Sequence, residues 1–179
     1  MASLRPWLPS DAEVVLAAFA QADMTREGGP LAGVEEASQW IEQRSWGVMP
    51  RAYSLAIVDG EQALGNVSVS AIEPVHGTAW ISYWMSNAGR GNRLTTRAVA
   101  TLAHWAFDEL GVFRLELGHR LNNPASGKAA LGAGFIREGT ERQRLQYDGE
   151  RFDVATYSRL KTDPAPATEL LEWAAPSPN

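Results

Sequence analysis

The chain has 179 residues, 45% apolar and 21% charged, with 16 Lys and Arg against 21 Asp and Glu for a net charge of −5. That length and balance suit one folded domain rather than a disordered chain. The absence of cysteine excludes disulfides, thiolate nucleophiles and cysteine-ligated zinc, and the acidic balance argues against a nucleic-acid partner. No apolar run approaches the roughly 20 residues of a membrane span. Met1-Ala2-Ser3-Leu4-Arg5-Pro6 lacks a signal-peptide pattern, so the expectation is a cytoplasmic protein without a membrane partner.

Taken in chain order, a short strand is expected over Leu4–Trp7, then a helix over Asp11–Ala22 opened by a Ser10/Glu13 capping box. Met24–Val34, rich in glycine, reads as a loop. A second helix is expected over Val34–Trp46 and ends by Met49-Pro50. Three strands follow, Tyr53–Val58, Leu64–Ile72 and Thr78–Met85, the first two joined at Asp59-Gly60. In the second of them Val67, Val69 and Ala71 alternate with Asn66, Ser68 and Ser70. The longest periodic helix covers Leu94–Leu110 and stops at Gly111. Strand Arg114–His119, helix Ala125–Ala133 and the hairpin strands Phe135–Gln146 and Arg151–Leu160 complete the domain, expected over residues 1–161. Residues 162–179, with four prolines, read as a weakly ordered tail with a helical turn at Glu169–Trp173. The order β α α β β β α β α β β implies an α/β fold with a mixed sheet.

The most informative stretch is a strand, a glycine loop and a long helix, with Gly89-Arg90-Gly91-Asn92-Arg93-Leu94-Thr95 at the junction. Such a helix start offers unpaired N–H groups and the positive dipole end to a phosphate. Arg90, Arg93 and Arg97 add positive charge to the same turn. From the glycines alone, an ordinary turn with a solvated basic helix start is an equal reading.

Several motifs stand in one order: Leu4-Arg5-Pro6, Ile81-Ser82-Tyr83-Trp84-Met85, Trp105-Ala106-Phe107-Asp108-Glu109-Leu110-Gly111, Asn123-Pro124-Ala125-Ser126 and Ala133-Gly134-Phe135. Together they resemble the Gcn5-related N-acetyltransferase (GNAT) superfamily over Leu4–Leu160, and most of all its branch that acetylates ribosomal-protein N-termini (the RimJ/RimL type). The resemblance implies a mostly antiparallel sheet of about seven strands flanked by about four helices. It implies acetyl-CoA as co-substrate, with no metal, and a small-molecule or peptide amine as acceptor. The backbone of Trp84, Met85 and Ser86 would pair with the pantetheine arm, and the amides of Arg90, Gly91, Asn92, Arg93, Leu94 and Thr95 would hold the pyrophosphate. Asn123 would contact the cofactor arm, and Ser126 would lie near the thiol. Pairing of two copies through strand edges, as a homodimer, is an open expectation.

Three positions depart from the family pattern. The two small residues of its phosphate loop are Arg93 and Thr95 here, a tyrosine often used as general acid is Ala130, and a glutamate common on the fourth strand is Trp80. His119 is therefore the candidate base, since histidine exchanges its proton near neutrality, with a packed or surface histidine as the competing reading. Ser126 is the candidate acid for the thiolate, or only a helix cap. Glu116 reads more simply as a salt-bridge partner. Trp80 and Trp84 share a strand face and, with Trp40 or Trp46, would wall an acceptor pocket or else fill the core. Glu35, Glu36 and Glu42 would border that pocket or form a solvated face. Without cysteine, direct transfer in a ternary complex is expected. The rival readings are an acyltransferase using another donor such as succinyl-CoA, met by Arg93, and a non-catalytic acyl-CoA sensor.

Overall fold

The computed structural model describes residues 1–24, 30–44, 46 and 52–173. Seven strands form one sheet: β1 (Ala2–Arg5), β2 (Tyr53–Asp59), β3 (Gln62–Glu73), β4 (Thr78–Met85), β5 (Arg114–Arg120), β6 (Ile136–Tyr147) and β7 (Glu150–Leu160). Their order across the sheet is β1-β2-β3-β4-β5-β7-β6, and every neighbouring pair is antiparallel except β4 and β5. Helices α1 (Ala12–Phe19) and α2 (Val34–Glu42) cover one face, and α3 (Leu94–Glu109) and α4 (Pro124–Gly132) belong to the core on the other. Among the described residues this is the mixed α/β architecture of seven strands and four helices that the resemblance implied. No described helix is long and apolar enough to cross a membrane.

The sheet is buried on both faces where helices lie, so β2 reads as a continuous apolar run and is buried from Tyr53 to Val58. The larger core lies between the sheet and α3, whose Ala98, Val99, Leu102, Ala103 and Ala106 are almost wholly shielded. The smaller core holds Trp7, Val15, Phe19, Ala37, Ile41 and Val58 beneath α1 and α2.

Several local expectations need correction. β1 ends at Arg5, and Trp7 leaves the strand to bury its indole, whose Nε1–H donates to Asn66 Oδ1 at 2.9 Å. That bond explains why Asn66 is buried rather than solvent-facing. The α1 start is organised by Asp11, not by Ser10 and Glu13: its carboxylate accepts from the Leu8 N–H at 2.9 Å and takes Arg5 in a two-pronged ion pair at 2.7 and 2.9 Å. Helix α1 ends at Phe19 and α2 at Glu42, earlier than expected. Much of the Met24–Val34 loop and the Met49-Pro50 stop lie outside the described residues. Ala71 breaks its alternation by adopting φ 49° at a register shift, which leaves it exposed.

The largest correction concerns the segment after Thr162. Glu169–Trp173 is no helical turn but an extended strap: Glu172 bridges Ser3 in parallel, and the Leu4 N–H donates to the Glu172 carbonyl at 3.0 Å. The Leu171 N–H donates to Thr101 Oγ1 at 2.8 Å, Leu171 is buried, and Trp173 packs on Trp46 and Trp105. The strap covers the outer side of α3, which is why that helix is apolar over most of its circumference.

Candidate active site

The one parallel pair creates the site. β4 and β5 are joined only over Thr78–Trp80 and Arg114–Glu116, after which the strands part. β4 stays bonded to β3 as far as Met85, and β5 to β7 as far as Arg120. The Ser86 N–H donates to the Leu64 carbonyl at 2.8 Å. By the two-residue alternation of the ladder, the even positions of β4 bond back to β3, and Ile81, Tyr83 and Met85 turn their N–H and C=O groups toward the gap. The gap opens into a cleft of about 890 Å³ lined by β4, the turn before α3, the end of β5 and the start of α4, a size suited to a cofactor or substrate.

At one end of the cleft is the α3 turn. Gly91 has φ 88°, and Arg93, the N-cap, takes φ 57° without a side-chain cap. The left-handed geometry that favours glycine is thus met by an arginine, at a cost of about 1 kcal/mol or more. The backbone N–H groups of Gly91 through Thr96 find no acceptor among the described residues. Donors left open at the positive end of a 16-residue helix are suited to an anion. Arg93 lines the cleft, exposed, and its guanidinium has no bond or ion pair among the described residues. Leu94 differs: its side chain is buried in the main core, so only its backbone faces the turn.

The other two arginines are engaged elsewhere. Arg90 donates from Nε to the Met85 carbonyl at 3.1 Å and pairs with Asp23 at 2.5 Å, while its own N–H bonds weakly to Asn87 at 3.4 Å. Arg97 turns away to the strap, donating to the Glu169 carbonyl at 3.2 Å and pairing with its carboxylate. The expectation that Arg97 charges the phosphate turn is corrected: it holds the C-terminal segment instead.

At the other end, α4 starts beside the gap. Asn123 is its N-cap, Oδ1 accepting from the Ser126 N–H at 3.3 Å, with Pro124 at the first helical position. Asn123 is therefore the cap and Ser126 is not. The Ser126 hydroxyl lies 2.9 Å from the Tyr83 hydroxyl, which also donates to the Ser126 carbonyl at 2.9 Å. One tyrosine proton cannot serve both, so the serine O–H donates to the Tyr83 oxygen. Burial, foremost, pushes Tyr83 up to about 12, with the Ser126 bond opposing and Tyr157 adding to the rise. Tyr83 is neutral at any working pH.

His119, near the end of β5, lines the same cleft. Its Nδ1 is 2.8 Å from the Arg120 carbonyl, and Nε2 is 3.2 Å from the Tyr157 hydroxyl. A carbonyl can only accept, so Nδ1 carries the proton in the neutral ring and Nε2 offers its lone pair to Tyr157. The two rings stack at 5.3 Å. Gly127 permits this arrangement: a Cβ there would stand 2.9 Å from His119 Nε2 and 3.1 Å from the Tyr157 hydroxyl.

Tyr83 and Tyr157 were missed by sequence reasoning. The available signal was a tyrosine on the buried, odd-numbered side of an apolar strand, whose hydroxyl must find a partner. Of the candidate pocket walls, Trp84 is taken up by Trp7, Phe19 and Trp40, with centroids 5.7 to 6.0 Å apart, and Trp46 by Tyr53 and Trp105. Trp80 alone of the four lines the cleft with its side chain substantially exposed. Glu116 pairs with Arg114 at 2.6 Å, as its simpler reading held. Glu35, Glu36 and Glu42 do not line the cleft.

A family model described as "Acetyltransferase (GNAT) domain" matches residues 2–136. The ribosomal-protein-serine acetyltransferase of Escherichia coli K12 is 31% identical over 100 residues, 56% of this chain and 56% of the relative, so the match spans about half of that protein. The uncharacterized N-acetyltransferase YoaA of Bacillus subtilis 168 is 26% identical over 170 residues, 88% of this chain and 92% of the relative. Mycobacterium smegmatis RimJ in complex with CoA-disulfide superposes with a TM-score of 0.78 at 20% identity, over 89% of this chain and 82% of the other. Spermidine N-acetyltransferase from Vibrio cholerae, in complex with CoA and spermine, gives 0.78 at 15% identity, over 90% and 96%. At such identities the two structures establish a shared fold.

Proposed function

Because the chain belongs to the GNAT acetyltransferase family, we propose that it is an N-acetyltransferase that moves the acetyl group of acetyl-CoA directly onto a primary amine in a ternary complex. The observation that carries this reading is the β4–β5 gap, with acceptor-free amides at one end and His119, Tyr83 and Ser126 at the other. The residues fit the co-substrate. Backbone N–H donors and the Arg93 guanidinium match a diphosphate. The free edge of β4, where Ile81, Tyr83 and Met85 turn their backbone groups outward, matches an extended amide-bearing arm, whereas Trp84 and Ser86, expected to share in that pairing, are bonded back to β3. That arm must compete with Arg90 for the Met85 carbonyl.

Acetyl-CoA supplies an activated thioester, and the protein's part is placement and proton handling. The amine nitrogen bonds to the acetyl carbon and the carbon–sulfur bond breaks, so one proton must leave nitrogen and one must reach sulfur. The Met85 N–H, turned into the gap, would stabilise negative charge on the acetyl oxygen. His119 Nε2 takes the amine proton after the Tyr157 hydroxyl, which occupies its one lone pair, turns away. Ser126 gives its hydroxyl proton to the departing sulfur as the Tyr83 O–H swings from the Ser126 carbonyl to the serine oxygen, and solvent returns a proton to Tyr83 while His119 releases the amine proton to solvent. Tyr83 thus stands in for the acid that the family carries where this chain has Ala130.

Thermal shift and calorimetry with acetyl-CoA, then amine-dependent release of free thiol, test the reading. A ligand at 100 times its Kd adds about 2.7 kcal/mol of stability. Stabilisation by acetyl-CoA with thiol release is expected. A stronger response to succinyl-CoA would reassign the donor, binding without thiol release on any amine would favour the sensor, and no response to any CoA would overturn the reading.

A further inference from the structure

Trp80 and Trp84 lie on one face of β4 and end differently. Trp84 is enclosed by aromatic neighbours, whereas Trp80 is 38% exposed, lines the cleft and has no ring partner among the described residues. A large aromatic left open inside a concave site is apolar area still to be covered. Gly118 leaves room for it: a Cβ there would stand 3.3 Å from the Trp80 ring. Leu145 and Tyr147, from the β6–β7 hairpin, line the same cleft.

Charge points the same way. Asp23 is the one carboxylate among the described lining residues, and Arg90 already holds it at 2.5 Å, while the exposed Arg93 and Lys128 contribute positive charge. A polyamine needs carboxylates for its remaining ammonium groups and finds none free among the described residues. Resting on the acetyl-transfer reading above, we infer that the acceptor is a monoamine on an apolar or aromatic body seated against Trp80, and that polyamines are rejected. Trp80 sets this specificity by touching the acceptor's body, and takes no part in the proton transfers.

The test compares phenethylamine with spermidine as acceptors for the wild type, W80A, W80F and W80E, with acetyl-CoA binding measured for each variant. The wild type is expected to prefer phenethylamine in kcat/KM by about tenfold or more. W80A should raise KM for phenethylamine by about tenfold with kcat little changed, W80F should restore most of the loss, and W80E should shift preference toward spermidine. Equal or better use of spermidine by the wild type, an unchanged KM in W80A, or acetyl-CoA binding with neither amine acetylated would each overturn the inference while leaving the cofactor site standing. Failure of the wild type to bind acetyl-CoA would overturn the underlying reading and the inference with it.

Discussion

Two helices begin at the same cleft and are finished in opposite ways. At α4 the first turn is closed by its own sequence: Asn123 caps it and Pro124 has no N–H to satisfy. At α3 no side chain caps the turn, its N-cap is a strained arginine, and the amides from Gly91 to Thr96 are left without acceptors among the described residues. The difference separates two tasks. A satisfied helix start is a rigid mount, and it holds Ser126 against Tyr83. An unsatisfied one retains donors and dipole for an anion from outside.

If that division is right, binding and chemistry should fail separately. The largest effect is expected on the α4 side. H119Q should lower kcat by about 10²-fold or more and leave the Kd for acetyl-CoA unchanged. A parallel loss of binding in calorimetry would merge the two tasks. Next comes the α3 side: R93E should weaken acetyl-CoA binding by about tenfold or more, with kcat at saturation nearly preserved. An unchanged Kd would remove Arg93 from the anion site.

The mount itself can be loosened. N123A should cost about 1 kcal/mol in denaturant unfolding and also weaken acetyl-CoA binding, whereas N123D keeps the cap and the stability but lacks the side-chain N–H. Equal stability of all three proteins would show that the cap does not hold α4. The smallest effect lies outside the cleft. Hydrogen bonds from Arg114, foremost, and from Ser158 lower Glu138 from the usual 4.5 to about 2. Because its folded value is depressed, its stabilising contribution is present above about pH 4.5 and lost as pH falls toward 2. With the carboxylate 45% exposed, screening limits the contribution to about 1 kcal/mol. Acid unfolding of E138Q should lack that slope.

What could be read in advance follows the same line between local and long-range order. Strand alternation, the Asp59-Gly60 turn and the Gly111 stop are written over a few residues, and β4 matched its expected bounds at both ends. The glycine turn before α3 was legible for the same reason. The strap was not: residues 162–173 have little periodicity of their own, and what orders them is the Thr101 hydroxyl, the edge of β1 and Arg97, far away in the chain. Arg97 was misassigned for that reason, since adjacency to the turn says nothing about where a long side chain is drawn. His119 stood out by its chemistry, whereas Tyr83 and Tyr157 looked like ordinary core aromatics until the fold brought β4, β7 and α4 together. The tryptophans carried too little local signal to separate Trp80 from Trp84, because both occupy the same face and only Trp84 meets α1 and α2.

The central claim is that the open turn before α3 grips a diphosphate. Backbone amide NMR during titration with coenzyme A tests it directly. The account predicts large, saturable shifts for the amides of Gly91 through Thr96, with those of the capped first turn of α4 moving less. Saturable binding that leaves the α3 turn unmoved would contradict it.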